Sequence, residues 1–221
     1  MTLPASRRVP VPRGRASDRV LGELRRMILT HELPPGAVVT EASLVDVLKC
    51  SRTPLREALQ SLSHEHLVVA VPGRGVSIAD LGIVEFRAIV EAELCVECSL
   101  VRLSADRISD EELDELDELM QRARTAATAG DVTEVVDLDY QFHHGWGVAC
   151  GNHFLVEFQT MLLRLVARYV YLGFQRAGNP EGAISDHQEI LEALRRRDPE
   201  AAEAAMRAHI KNGRERMRSA L

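Results

Sequence analysis

The last forty residues contain one interruption, and it dictates how the end of the chain must fold. Asp186 to Arg197 reads as a helix. Asp198-Pro199 then supplies an N-cap residue followed by proline at the first helical position, and Glu200 to Arg218 reads as the next helix. Two helices joined so tightly return as a hairpin. His187 lies eleven positions before residue 198 and His209 eleven after it. At ~1.5 Å of rise per residue each imidazole sits about 16 Å from the turn, so the hairpin brings the two level. Upstream, Asp139 and His143 are four apart, on one face of a helix. One aspartate and three histidines make an N/O donor set suited to one divalent ion per chain, of the Zn, Ni or Mn type. A solvated Asp/His surface pair is the plainer reading of Asp139 and His143, and His144 and His153 are alternative ligands. His144 is about 100° around the helix from His143, so it faces elsewhere if Asp139 faces inward.

Charge divides the chain. Residues 1 to 78 carry eleven Lys+Arg and seven Asp+Glu, a net of +4; the whole chain is at −6, which leaves −10 for residues 79 to 221. The basic part suits a polyanion and the acidic part does not, so 221 residues read as two domains rather than one. No run of eighteen apolar residues occurs, and Met1 to Arg8 lacks the apolar core of a signal peptide. The expectation is a soluble, cytoplasmic protein without a membrane partner. The cysteines, Cys50, Cys95, Cys98 and Cys150, are too few for a disulfide framework. Cys95-Val96-Glu97-Cys98 has the spelling of a redox or zinc motif, but it lies in a long helical pattern with no second pair. Buried small apolar residues are the expectation there.

Residues 1 to 16 combine Pro4, Pro10, Pro12 and Gly14 with four arginines, which cannot build a core and read as a disordered basic arm. Residues 17 to 79 read as a folded unit. Ser17 caps a helix whose apolar positions Val20, Leu21, Leu24, Ile28 and Leu29 recur at helical spacing. Leu33-Pro34-Pro35-Gly36 ends it in a turn. Thr40 caps a short helix, Glu41 to Leu48, and after a three-residue break a third helix starts within Ser51-Arg52-Thr53-Pro54. Two short helices across so tight a turn form a helix-turn-helix. Leu67 to Val71, a Pro72-Gly73-Arg74-Gly75 turn and Val76 to Ile78 then read as a β-hairpin with an arginine at its tip. Such a combination is a winged DNA-binding domain. A small α+β packing unit is the plainer alternative, but Arg52, Arg56 and Arg74 all lie on exposed elements that a groove-binding unit needs.

Residues 80 to 221 read as all-helical. Ser109-Asp110-Glu111-Glu112 and Asp131-Val132-Thr133-Glu134 both spell a capping box, and Gly130, Gly151 and Gly178-Asn179-Pro180 provide stops. The spacing predicts helices over 83 to 104, 109 to 129, 132 to 150, 153 to 176, 181 to 197 and 199 to 218. Short loops between them make an antiparallel bundle of about six helices. In the third, Val135, Leu138, Phe142 and Trp146 form the apolar stripe, with Asp139 and His143 along its edge, where a bundle interior places a metal or ligand. The fold class expected is therefore mainly α: an N-terminal winged helix-turn-helix domain followed by an all-α antiparallel bundle.

The stretch from Leu33-Pro34-Pro35-Gly36 through Ser51-Arg52-Thr53-Pro54-Leu55-Arg56-Glu57-Ala58-Leu59 to Pro72-Gly73-Arg74-Gly75-Val76 closely resembles the GntR family of bacterial transcription regulators. The remainder resembles the ligand-binding bundle of its FadR-like branch, the FCD domain, whose metal-binding set matches at Asp139, His143, His187 and His209. The resemblance spans about residues 17 to 215. It implies DNA contacts by Ser51, Arg52, Thr53 and Arg56 at the recognition helix and by Gly73 and Arg74 at the wing. Physical reasoning agrees, since Arg52 and Arg56 are four apart at the start of a helix able to enter the major groove, where guanine offers two acceptors to one guanidinium. Where some relatives carry a further arginine on the preceding helix, this chain has Ala42. The resemblance also implies a homodimer on a short inverted repeat of double-stranded operator DNA, and a small organic acid as effector. Arg87 and Asn152 match effector-side positions in such domains; Arg87 suits an effector carboxylate, or equally an ion pair with Glu91 one turn on.

These readings converge on a transcriptional repressor whose operator affinity is controlled by a small carboxylate at a metal-containing pocket. Two rivals are a regulator for which the metal is itself the signal and one in which the metal is purely structural. A metalloenzyme is the third, since open metal positions also activate water. No general base stands out beside the ligands, so the expectation is a protein without enzymatic activity.

Overall fold

Helical spacing of apolar residues and strong local caps decide most of this fold. The computed structural model describes residues 16–177 and 180–218. The basic arm expected over residues 1 to 16 thus lies outside the described residues except for Ala16, as do Gly178 and Asn179 of the last loop.

The N-terminal part runs α1 (Ala16–Leu29), β1 (Val38–Val39), α2 (Glu41–Leu48), α3 (Arg52–His64), β2 (Val68–Val71) and β3 (Gly75–Ile78). Helix α1 buries Val20, Leu24, Met27 and Ile28, and packs on α3, which buries Leu55, Ala58, Leu59 and Leu62. Thr40 Oγ1 accepts from Ser43 N at 3.1 Å, the cap expected for α2. Lys49 adopts a left-handed conformation, φ 49°, which turns the chain within three residues into α3. Strand β1 was not foreseen: at two residues it is too short to show alternation. It pairs antiparallel with β3, Val38 opposite Ser77 and Val39 opposite Val76, giving the order β1-β3-β2.

That pairing explains one wing glycine. Gly75 has φ 114°, and a Cβ there would overlap the Val39 carbonyl oxygen. Gly75→Ala is therefore expected to destabilise the N-terminal unit by about 1–3 kcal/mol, combining backbone strain with overpacking. Thermal or denaturant unfolding checks this; wild-type stability in the variant would contradict the β1–β3 approach.

The second part is α4 (Ile83–Ala105), α5 (Asp110–Ala129), α6 (Val132–Ala149), α7 (His153–Ala177), α8 (Glu181–Arg195) and α9 (Pro199–Arg218), with boundaries close to those expected. The bundle closes through α4 on α9 and α7, α5 on α6 and α8, α6 on α7, and α8 on α9. Its centre is Trp146 and Phe142 with Leu100, Leu138, Ile190 and Leu191, all essentially inaccessible. Ser109 forms a full capping box with Glu112. At Asp131 only half of one forms: Asp131 Oδ1 accepts from Glu134 N at 3.0 Å, while the Glu134 carboxylate is taken by Arg122 at 3.1 Å. Asp198 Oδ1 caps α9, accepting from Ala201 N at 3.0 Å, so the break that defines the α8–α9 hairpin is built as its sequence indicates. Cys98 is buried as expected; Cys95 is not, and lies exposed. Among the described residues no helix is long and apolar enough to cross a membrane.

The two parts have separate apolar cores that touch at their edges. Leu165 of α7 packs against the first, and Leu29 of α1 against the second.

Candidate functional site

Asp139 and His143 project from α6, His187 from α8 and His209 from α9. The hairpin does bring the last two level, with ring centroids 4.5 Å apart. His143 Nε2 lies 3.1 Å from His187 Nε2, and Asp139 Oδ1 is 3.4 Å from the same His187 nitrogen. One nitrogen from each of the three rings falls within 4.8 Å of the others. His143 and His187 are buried, and His209 nearly so. His144 instead stacks on Tyr140, centroids 5.8 Å apart, and exposed His153 lies against Phe154 at the start of α7. Neither alternative belongs to the cluster.

Two polar residues behind the cluster escaped sequence reasoning. Glu97, fully buried on α4, places Oε2 3.2 Å from His143 Nδ1. Gln159 of α7 donates to the His143 carbonyl at 2.8 Å and to Glu97 Oε2 at 3.4 Å. A carboxylate on Nδ1 fixes the ring so that Nε2 points into the cluster, the usual support of a metal-bound imidazole. The available signal is the spacing of Glu93 and Glu97, one turn apart on a helix face that is otherwise apolar. Gly147 leaves room for Gln159: a Cβ at 147 would collide with its amide.

Electrostatics separates the three rings. Burial, and then the charges of the neighbouring rings, push His187 well below the ordinary histidine value; burial and His143 do the same to His209. Both are neutral at pH 7 and offer lone pairs. Burial also opposes charge on His143, but the hydrogen bond and charge of Glu97 outweigh it and raise its pKa. Burial and then Glu97 push the Glu93 carboxyl up to about 8.

The donor set fits a divalent ion. Two nitrogens bound at ~2.1 Å and at a right angle stand about 3 Å apart, close to the 3.1 Å between His143 and His187. His209 Nδ1 is buried with no hydrogen-bond partner among the described residues. It is 3.8 Å from Asp186 Oδ2, too long for a hydrogen bond. A buried ring nitrogen without a hydrogen-bond partner is costly, and a third ring left with one fits a donor set meant for an ion.

Beside the cluster is a cavity of about 60 Å³ lined by Asp139, His143, His209, Glu93 and Arg216, with Leu163, Val166 and Phe174 as its apolar wall. That is several times the ~10–15 Å³ a single water needs. Arg216 of α9 is held by Asp186 Oδ2 at 2.7 Å, and Asn212 Nδ2 donates to Asp186 Oδ1 at 2.9 Å. The two effector-side residues expected from sequence do not line this cavity. Arg87 adjoins Phe86 on α4; because Phe86 turns into the core, Arg87 turns to solvent. Asn152 is half-buried at the start of α7, its Oδ1 accepting from Leu155 N at 3.4 Å. The cationic side chain at the cavity is Arg216.

In the N-terminal part, Ser51, Arg52, Thr53 and Arg56 are all exposed around the N-terminus of α3. Ser51 makes no side-chain cap bond. Arg56 Nε donates to Glu41 Oε2 of α2 at 2.9 Å, an ion pair that sequence reading missed. Gly73 and Arg74 form the exposed tip of the β2–β3 turn, Gly73 with φ 71°. The start of α3 and the wing tip thus both present polar side chains to solvent.

The model of the bacterial regulatory proteins of the gntR family matches residues 16–78, and that of the FCD domain matches residues 84–212. The HTH-type transcriptional repressor RspR of Escherichia coli (strain K12) is 25% identical over 195 residues, covering 88% of this chain and 86% of the relative. The HTH-type transcriptional repressor GlaR of the same organism is 32% identical over 167 residues, covering 71% and 75%. Among solved structures, E. coli McbR/YncC shares the fold with a TM-score of 0.83 at 21% identity, over 93% of this chain and 98% of that one. With its winged helix-turn-helix and helical bundle, this chain belongs to the GntR family of transcription regulators, with an FCD domain.

Proposed function

We propose that the protein is a homodimeric repressor that binds a short inverted repeat of operator DNA in the cytoplasm, and that a small carboxylate at a metal-containing pocket in the bundle weakens this binding. Asp139, His143, His187 and His209 would hold one divalent ion, of the Zn, Ni or Mn type. The ion, when bound, supplies a Lewis-acidic site for an anion. Four protein ligands leave two positions on an octahedral ion for a carboxylate.

The observation that carries this reading is the cavity that joins the ligand cluster to Arg216. An effector carboxylate buried there needs cationic partners, because an unpaired buried charge is costly. The ion and the Arg216 guanidinium, aimed by Asp186, supply two. A purely structural ion has no use for an adjoining cavity with an arginine in its wall.

Helix α7 supplies the route to the DNA-binding part. One side lines the cavity with Leu163, Val166 and Phe174. The other carries Arg164, 3.1 Å from Glu65 just after α3, and Tyr171, edge-on to His31 after α1 at 5.6 Å. An effector that shifts α7 against the cavity biases the arrangement of the wings, a coupling typically of about 1–3 kcal/mol.

A thermal-shift screen of small carboxylic acids on metal-loaded protein tests the pocket. At least one acid should raise the melting temperature saturably, and Arg216→Ala should remove that rise. If no acid does so, while metal alone changes operator affinity, the metal is itself the signal. The support behind His143 is testable separately: Glu97→Gln is expected to lower metal affinity about 10–100-fold, read by competition with a chromophoric chelator. Unchanged affinity would remove Glu97 from the site.

A further inference from the structure

A second cleft lies where the DNA-binding part meets the bundle, walled by α1, α6 and α7, with a volume of about 490 Å³. It is far larger than the cavity beside the histidines and shares no lining residue with it. Four arginines reach it: Arg25, Arg26, Arg164 and Arg168.

Three of the four are paired with carboxylates. Arg25 and Arg164 both pair with Glu65, and Arg26 pairs with Glu23 and Glu32. Arg168 is different. It is 2% exposed, the most buried cation among the described residues, and no ion pair is formed to it there. One terminal nitrogen donates to the Ala79 carbonyl in the segment between the two parts. Its Nε is buried with no partner. Burial lowers the Arg168 pKa, yet a guanidinium does not give up its proton in a protein. The charge of Asp80 acts on Arg168 without pairing with it, so a buried, permanently charged group keeps an unused donor, a cost that an anion would relieve.

The remaining wall suits a small molecule. Tyr140, stacked on His144, contributes a phenol, and Leu29, Val136 and Ala167 contribute apolar surface; the two carboxylates in the wall are engaged, Glu134 by Arg122 and Asp137 by the Gln141 amide.

We infer that this interdomain cleft is a second ligand site, which takes a small oxyanion, phosphate or carboxylate, on the Arg168 guanidinium. Planar guanidinium groups bind either class through paired N–H donors. The occupant would touch α1 of the DNA-binding part and α6 and α7 of the bundle at once, and so stabilise the arrangement of the two parts seen here. The site does not depend on the metal.

The test uses full-length, metal-loaded protein at fixed ionic strength, titrated in separate arms with inorganic phosphate and with acetate against chloride. Melting temperature and isothermal titration heats are both read. At least one oxyanion should bind saturably at millimolar concentration or below, and His187→Ala, which removes a metal ligand, should bind it equally well. Arg168→Met should weaken binding at least tenfold. Absence of saturable binding in the wild type with either anion overturns the proposal, whatever the behaviour of the variants. Equal binding by Arg168→Met, or loss of binding in His187→Ala, places the anion elsewhere and overturns it too. Should Arg168→Met not fold, Tyr140→Phe and Arg164→Gln serve in its place: at least one is expected to weaken the anion, and wild-type affinity in both overturns the assignment.

Discussion

His187→Ala is expected to leave the chain without its divalent ion, taking occupancy from about one per chain to nearly none, while the bundle keeps most of its helicity. The ring lies between the other donors, 3.1 Å from His143 Nε2 and 3.4 Å from Asp139 Oδ1, so its loss removes the member that both neighbours share. Metal binding in such a site is also folding free energy, so the melting temperature should fall together with the occupancy. Helices α8 and α9 remain pinned by Ile190, Leu191, Met206 and Ile210, none of which touches an ion. Elemental analysis with circular dichroism checks both halves. Full occupancy in both His187→Ala and His209→Ala would remove these residues from the ligand set.

The second large effect belongs to the recognition helix. Arg52→Ala and Arg56→Ala are each expected to weaken operator binding by about 1–3 kcal/mol and to relax base preference at one position per half-site. Arg52 should cost more, because Arg56 must first exchange its 2.9 Å contact with Glu41 for a base. Substitutions of the arginines before residue 16 should weaken all sequences alike, since phosphate contacts carry no base information. Anisotropy titrations against the operator and its single-base variants separate these outcomes. Wild-type affinity in both recognition-helix variants would refute the docking.

Much of the fold was legible because its determinants are local. The Asp198-Pro199 break, the Ser109 capping box and the 3.6-residue stripe through Val135, Leu138, Phe142 and Trp146 each act within a few residues, and each is built as read. The level of His187 and His209 followed from counting along a hairpin. What escaped reading depends on pairing across the chain. Strand β1 exists only through its partner β3, and Glu97 is significant only because α4 meets α6 opposite His143. The effector side shows the same limit. Arg87, one helical step from buried Phe86, turns outward, and the arginine that lines the cavity is Arg216, from the far end of the chain. Nothing local in α7 announces that one helix lines the cavity with Val166 and meets Glu65 through Arg164 two residues earlier.

A carboxylate bound in the metal pocket should act on operator binding from within the bundle, and one titration tests this directly. The acid found by thermal shift is added to operator-bound wild type, metal-stripped protein and Arg216→Ala, and operator affinity is read in each. Weakening of about 5–150-fold is expected in the metal-loaded wild type, the span of a typical coupling of about 1–3 kcal/mol, with the response lost from the other two. An equal response from wild type and metal-stripped protein would contradict the account.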